Sequence, residues 1–321
     1  MARFLKFKVA LAFLAIYIIW GSTYLAILFG IESIPPFLMA GTRHLVAGLV
    51  LLFILRKQLS GIWNPVYWRS ALVIGALMLA GGNGGVTWAE QRVPSGIAAV
   101  LVATVPMWMM VISWFQRDHD RPGVMEFVGM ILGLIGITVL VGPEELLGGK
   151  PVDHLGALAL FGAALVWAFG SLYSRKATLP SSAFVSAAMQ MVAGGAVLIV
   201  LGLAAGERIH ADAVTAKSAG ALLYLVLLGS LVGYTAYIWL LKVSTPAKVS
   251  TYAYVNPLVA VFFGWLFAAE PISLRTVLAV GLIVSGVAII TLRKMVVANI
   301  RRWRVPSTAK NIAIIESERI S

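Results

Sequence analysis

Apolar residues in this chain gather in long runs with no two-residue alternation. The runs fall at about 9–30, 36–55, 66–89, 95–116, 124–142, 154–174, 182–205, 218–241, 247–268 and 272–292. A helix needs roughly 20 apolar residues to cross a hydrocarbon core. The pattern therefore predicts an all-α integral membrane protein with ten transmembrane helices, helix 1 to helix 10. Connections are short and hold turn residues: Pro35-Pro36, Asn64-Pro65, Arg121-Pro122-Gly123, Gly148 to Pro151 and Pro180-Ser181-Ser182. The first run is longer than a signal-peptide core and lacks a small-x-small cleavage site, so it reads as a retained helix.

The runs repeat. Val93 to Phe115 and Ser244 to Pro271 each begin near a proline (Pro94, Pro246), carry a second proline about three turns on (Pro106, Pro257), and place a tryptophan eight residues later (Trp114, Trp265). Gly21-Ser22-Thr23-Tyr24 returns as Gly170-Ser171-Leu172-Tyr173, with Trp20 and Trp167 just ahead. Val46-Ala47-Gly48 returns as Val192-Ala193-Gly194, and Gly136 as Gly286, at an offset near 150. The predicted organisation is one five-helix repeat over 1–142, a second over 143–292, and a basic tail over 293–321. Five is odd, so the second repeat enters the membrane from the opposite side. Two inverted repeats are a transporter architecture, with cargo near the midplane between them.

Composition agrees with a bilayer location: 60% of the 321 residues are hydrophobic and 12% charged, and mean hydropathy is +0.93. A formal charge of +12 raises the question of nucleic acid. The basic residues instead lie between apolar runs and in the tail, with no recognition helix or Cys/His finger, so no nucleic-acid partner is expected. Their bias to one set of connections predicts both termini in the cytoplasm, and the tail suits an anionic lipid surface. The absence of cysteine removes disulfides, thiolate metal sites and a cysteine nucleophile.

The WGSTY element (Trp20 to Tyr24), the VPSG…VP segment of helix 4, the YVNP element (Tyr254 to Pro257) and Glu270-Pro271 resemble the EamA branch of the drug/metabolite transporter superfamily. That resemblance implies a multi-pass carrier of the bacterial inner membrane, commonly an exporter of amino acids, other metabolites or toxic compounds. It does not choose the cargo.

Polar groups inside hydrocarbon are costly and should face a cavity or another helix. The residues expected to bind cargo are Trp20, Tyr24, Trp88, Trp167 and Tyr252 through their rings, and Asn83, Thr104 and Asn256 through hydrogen bonds. This mixture suits a neutral, zwitterionic or aromatic cargo. Asn83 sits among Gly81, Gly82, Gly84 and Gly85, where a local break in helix 3 is expected. Pro106 and Pro257 are expected to let their helices bend, and Tyr252 and Asn256, four apart, share a face. Trp68, Trp114, Trp239 and Trp265, near span ends, read as interfacial belt residues.

Arg43 is the one Lys or Arg well inside a span. It is expected to snorkel outward and pair with Glu32 or Glu90, with a cargo carboxylate as the other reading. Glu90, and after it His44, are the candidates for coupling, although no carboxylate is expected at the midplane. The four histidines make no ligand spacing, so no metal or other cofactor is expected. Nucleotide-loop, G-x-S-x-G and H-E-x-x-H motifs are absent. The alternatives to a carrier are a membrane enzyme acting on lipid and a membrane sensor or assembly partner without flux. A monomer or weak homo-oligomer is expected.

Overall fold

The computed structural model describes residues 2–93, 95–115, 123–147, 153–268 and 273–304. Among the described residues the regular structure is all helical. Ten helical segments follow in order: α1 (Ala2–Ile31), α2 (Pro36–Ile54), α3 (Pro65–Ala89), α4 (Ile97–Phe115), α5 (Val124–Val141), α6 (His154–Lys176), α7 (Ala183–Ala204), α8 (Ala216–Val243), α9 (Tyr252–Ala268) and α10 (Leu274–Arg304). Nine of them are long and apolar enough to cross a membrane. The exception is α9, with 17 residues, preceded by a single turn Pro246–Val249. The ninth expected span is thus split: Ser250 and Thr251 interrupt it, because both hydroxyls turn back onto the carbonyls of Ala247 and Lys248. Pro94, His119, the Arg121-Pro122 turn, Gly148 to Pro151, Glu270-Pro271 and the tail beyond 304 lie outside the described residues.

Polar side chains start the helices where backbone N–H groups lack partners. Asn64 accepts from the amide of Val66, with Pro65 at the first helical position of α3. Asp153 accepts from Gly156 at the start of α6, Ser182 from Val185 for α7, and Thr215 from Ser218 for α8. Glu126 takes the amide of Gly123 ahead of α5. The cap of α2 comes from far away: both oxygens of Glu207, just after α7, accept from the amides of Phe37 and Leu38. That contact ties the start of α2 to the end of α7.

Apolar helices in lipid gain little from burial, so close backbone approach and interhelical hydrogen bonds hold them together. Two long pairings dominate, α2 with α7 and α5 with α10. In each, glycine lets the backbones meet. A Cβ on Gly48 would stand 2.9 Å from the carbonyl oxygen of Ala188, and one on Gly286 would run into the carbonyl oxygen of Gly129. Packed against α2 and α7, α3 and α8 each contain a π-helical stretch, Gly75–Gly84 and Leu225–Tyr234. The stretches have equal length and begin 150 residues apart. The expected disturbance of α3 around Asn83 is present; its counterpart in α8 has no glycine cluster of that kind to announce it. Helix α4 breaks between Val102 and Val105, four residues ahead of Pro106, which cannot donate to the carbonyl of Val102.

Candidate functional site

Helices α1, α2, α3, α4, α6, α8 and α9 surround a cavity that encloses about 690 Å³ of empty space, its mouth included. Helix α1 contributes Trp20, Thr23, Tyr24 and Ile27, and α3 contributes Leu79, Gly82, Asn83 and Val86. Both sets follow the i, i+3, i+4, i+7 spacing of one helical face. Helix α2 supplies Arg43 and His44, α6 supplies Ala163, Ala164 and Trp167, α8 supplies Gly229 and Tyr234, and α9 supplies Tyr252 and Asn256.

The floor is aromatic. Trp20 lies edge-on to Trp167 and Tyr252, with ring centroids 5.7 and 4.9 Å apart, and 5.1 Å from Tyr237. Tyr237 in turn meets Tyr252 at 5.6 Å and 89°. The polar ends of these rings are satisfied inside the protein. Trp20 Nε1 donates to the carbonyl of Gly229 at 3.1 Å, Trp167 Nε1 donates to Tyr237 Oη at 3.1 Å, and Tyr237 Oη shares a 2.8 Å bond with Ser171 Oγ. Rings fixed in this way present rigid apolar area at low entropic cost. On one side of the floor, three residues before Trp20, Tyr17 Oη is bonded to Thr251 Oγ1 at 2.6 Å, so α1 is pinned to the interruption ahead of α9.

A polar chain runs beside the cavity as well. Arg43 Nε donates to Ser230 Oγ at 3.2 Å; Ser230 Oγ lies 3.2 Å from His44 Nδ1; and His44 Nε2 lies 3.3 Å from Asn83 Oδ1. An amide oxygen only accepts, so Nε2 carries the ring hydrogen and Nδ1 accepts from the serine. Four residues from α2, α3 and α8 are thereby set in one order. Tyr234, beside His44, donates to Gln190 Oε1 at 2.8 Å.

Several buried polar atoms have no partner: Arg43 Nη1, both carboxylate oxygens of Glu90, and Asn256 Oδ1 among them. Buried polar groups are nearly always paired, so those that face or flank a cavity point to a ligand. Glu90 sits one turn beyond Val86, continuing the face of α3 that lines the cavity.

Of the residues expected to bind cargo, the structure brings Trp20, Tyr24, Asn83, Trp167, Tyr252 and Asn256 together around the cavity, with Arg43 and His44. Two are placed elsewhere. Trp88 lies two residues from Val86, about 200° around the helix, and packs beside Ala89 and Val93 with the Arg92 guanidinium 4.5 Å from its ring centre. Thr104 sits in the break of α4 and donates to the carbonyl of Leu101 at 2.6 Å, while Val102 and Val105 take the cavity positions. The snorkelling expected of Arg43 is also overturned: its side chain is buried, with 3% of the residue exposed. Glu32 is paired instead with Lys217 at the surface, and no ion pair joins Arg43 to Glu90 among the described residues. Pro106 is buried and Pro257 lies inside α9 one residue beyond Asn256. Ser230 and Gln190 were not foreseen. Gln190 could have been noticed as an amide in the middle of an apolar run; Ser230 has no such mark.

Trp114 and Trp265 are 61% and 45% exposed, whereas Trp68 and Trp239 are partly buried against neighbouring helices. Only the first pair thus presents large ring surface outward.

Comparison with known proteins accords with a carrier. The model of the EamA-like transporter family matches the chain twice, over residues 7–142 and 154–292. The chain belongs to this family and is a multi-pass membrane transporter. It is 42% identical over 286 residues to the uncharacterized inner membrane transporter YedA of Escherichia coli (strain K12), covering 88% of this chain and 90% of that protein. It is 30% identical over 283 residues to the uncharacterized transporter YoaV of Bacillus subtilis (strain 168), covering 87% and 95%. A solved crystal structure shares the fold with a TM-score of 0.73 at 22% identity, over 88% of this chain and 97% of that one.

Proposed function

We propose that the protein is a secondary transporter of the bacterial inner membrane that exports amino acids or related neutral and aromatic compounds by alternating access. Ten helices form two inverted five-helix repeats, and both termini are cytoplasmic. The observation that carries this reading is the cavity itself: Trp20, Tyr24 and Asn83 from one matched stretch and Trp167, Tyr252 and Asn256 from the other line it together. A small cargo with an apolar body fits rings fixed by hydrogen bonds, and a few polar groups set its orientation. The paired π-helical stretches, 150 residues apart, support the duplication, and each lies beside the cavity. With the N-terminus inside, the cavity occupies the outer half of the bilayer, and the Tyr17–Thr251 bond ties α1 to the start of α9 on its cytoplasmic side.

Purified protein in proteoliposomes tests this directly. A labelled panel of amino acids and aromatic amines is expected to show saturable counterflow. Conversion of a lipid substrate without flux would make the protein a membrane enzyme. Neither flux nor product would favour a sensor or assembly partner.

A further inference from the structure

Arg43 presents a problem that the rest of the bundle does not solve. A guanidinium removed from water costs several kcal/mol unless its donors are met. Here Ser230 accepts from Nε, while Nη1, buried in a residue that lines the cavity, has no partner. Glu90 is near enough for the two charges to attract, yet its carboxylate oxygens make no hydrogen bond of their own. Neither group therefore satisfies the other. The partner of Nε is itself held in place: Ser230 is also bonded to His44, and His44 to Asn83, so the acceptor that positions the guanidinium is fixed by two further links.

We infer that Arg43 is the anion anchor of the cargo site, donating through the free Nη1 to a carboxylate of a small molecule whose apolar body lies over Trp20, Trp167 and Tyr252. This rests on the reading of the cavity as the cargo site and narrows it to carboxylate-bearing compounds. Planar guanidinium suits a carboxylate better than the ammonium of lysine would, and a hydrogen bond between charged groups is the strong kind. Ser230 acts as a positioning residue, because it holds Nε of the guanidinium beside the cavity.

Four probes with the same ring and chain length test the anchor: 3-phenylpropionate, L-phenylalanine, 3-phenylpropionamide and 2-phenylethylamine. Binding to the full-length protein in nanodiscs is read by thermal unfolding, and flux by counterflow. The wild type is expected to bind the two carboxylates at least ~10-fold more tightly than the amide and the amine. Arg43→Gln is expected to weaken the carboxylates by roughly 30-fold or more and leave the amide unchanged. Ser230→Ala lowers carboxylate affinity several-fold, and Arg43→Lys restores part of what glutamine loses. Equal binding of acid and amide by the wild type, no binding of either carboxylate, or a preference that survives Arg43→Gln would each overturn the inference. The wild-type comparison stands even if Arg43→Gln fails to fold. Carboxylate binding without flux would leave the anchor in place and remove the transporter reading. Flux of the amine with no preference for carboxylate would do the reverse.

Discussion

Asn256 is buried, 2% exposed, and its Oδ1 accepts no hydrogen bond. An unsatisfied amide oxygen in such a place costs about 1–3 kcal/mol, which a purely structural residue would not incur. Replacing it by leucine removes that penalty while keeping volume and helix propensity. Asn256→Leu is therefore expected to melt at the wild-type temperature or above it, with transport reduced at least ~10-fold; wild-type flux in that variant would take the residue out of the site. At this scale the sequence was informative where a residue type is anomalous in its surroundings. Trp20, Trp167 and Asn256 stand out in apolar runs, and all three reach the cavity. It was misleading where direction around a helix decides. Trp88 is as conspicuous as Trp20, but its place two residues from Val86 turns it away. Burial of Arg43 depended on Ser230, 187 positions along the chain, and a sequence pattern does not carry such a partner.

Helices are set by their ends and by the glycines on their faces. The amide of Gly156 holds the Asp153 carboxyl below its ordinary value of 3.8, with Arg92 3.3 Å away as a further partner. A depressed folded value means that the ionised cap stabilises above the unfolded pKa, and that this contribution is lost as pH falls through the folded one. The wild type should then melt above Asp153→Ala at neutral pH, with the two curves converging below about pH 4 in a pH series of melting temperatures. A gap that persisted in acid would show that the charge is irrelevant. At the crossing of α5 and α10, Gly286→Val is expected to lower stability by about 1–3 kcal/mol or more, since any Cβ meets the backbone of Gly129 and Gly133. Thermal unfolding in detergent checks this, and an unchanged midpoint would mean that the helices part at little cost. Element existence was legible from the apolar runs, and the break near Asn83 from its glycines. The π-helical stretch of α8 was not: Leu225–Tyr234 reads as uninterrupted apolar helix, and its register shift depends on packing against α1 and α2.

The family model matches two stretches of the chain, 7–142 and 154–292, and residues of both line one cavity. If they are inverted, repeat-equivalent connections must lie on opposite sides of the membrane. Ser60, in the α2–α3 connection, and Arg208, in the α7–α8 connection, mark such a pair. Their cysteine variants should react with a membrane-impermeant maleimide on opposite faces of intact cells; labelling on one face would end the inverted arrangement. The landmarks keep one offset over most of the chain, and the two stretches that the family model matches follow the same division. The pairing of α2 with α7 and of α5 with α10 was not readable, because it depends on which glycine faces which backbone.

Alternating access is the central claim, and the lack of cysteine in the natural sequence makes it open to direct measurement. Ala164 lines the cavity and is 3% exposed. A single Ala164→Cys variant, labelled with an impermeant maleimide in right-side-out and in inside-out vesicles, reports which face reaches the cavity. The account predicts reaction from both faces, at rates that shift when a transported carboxylate is added. Reaction from one face alone, unchanged by any cargo, would contradict it.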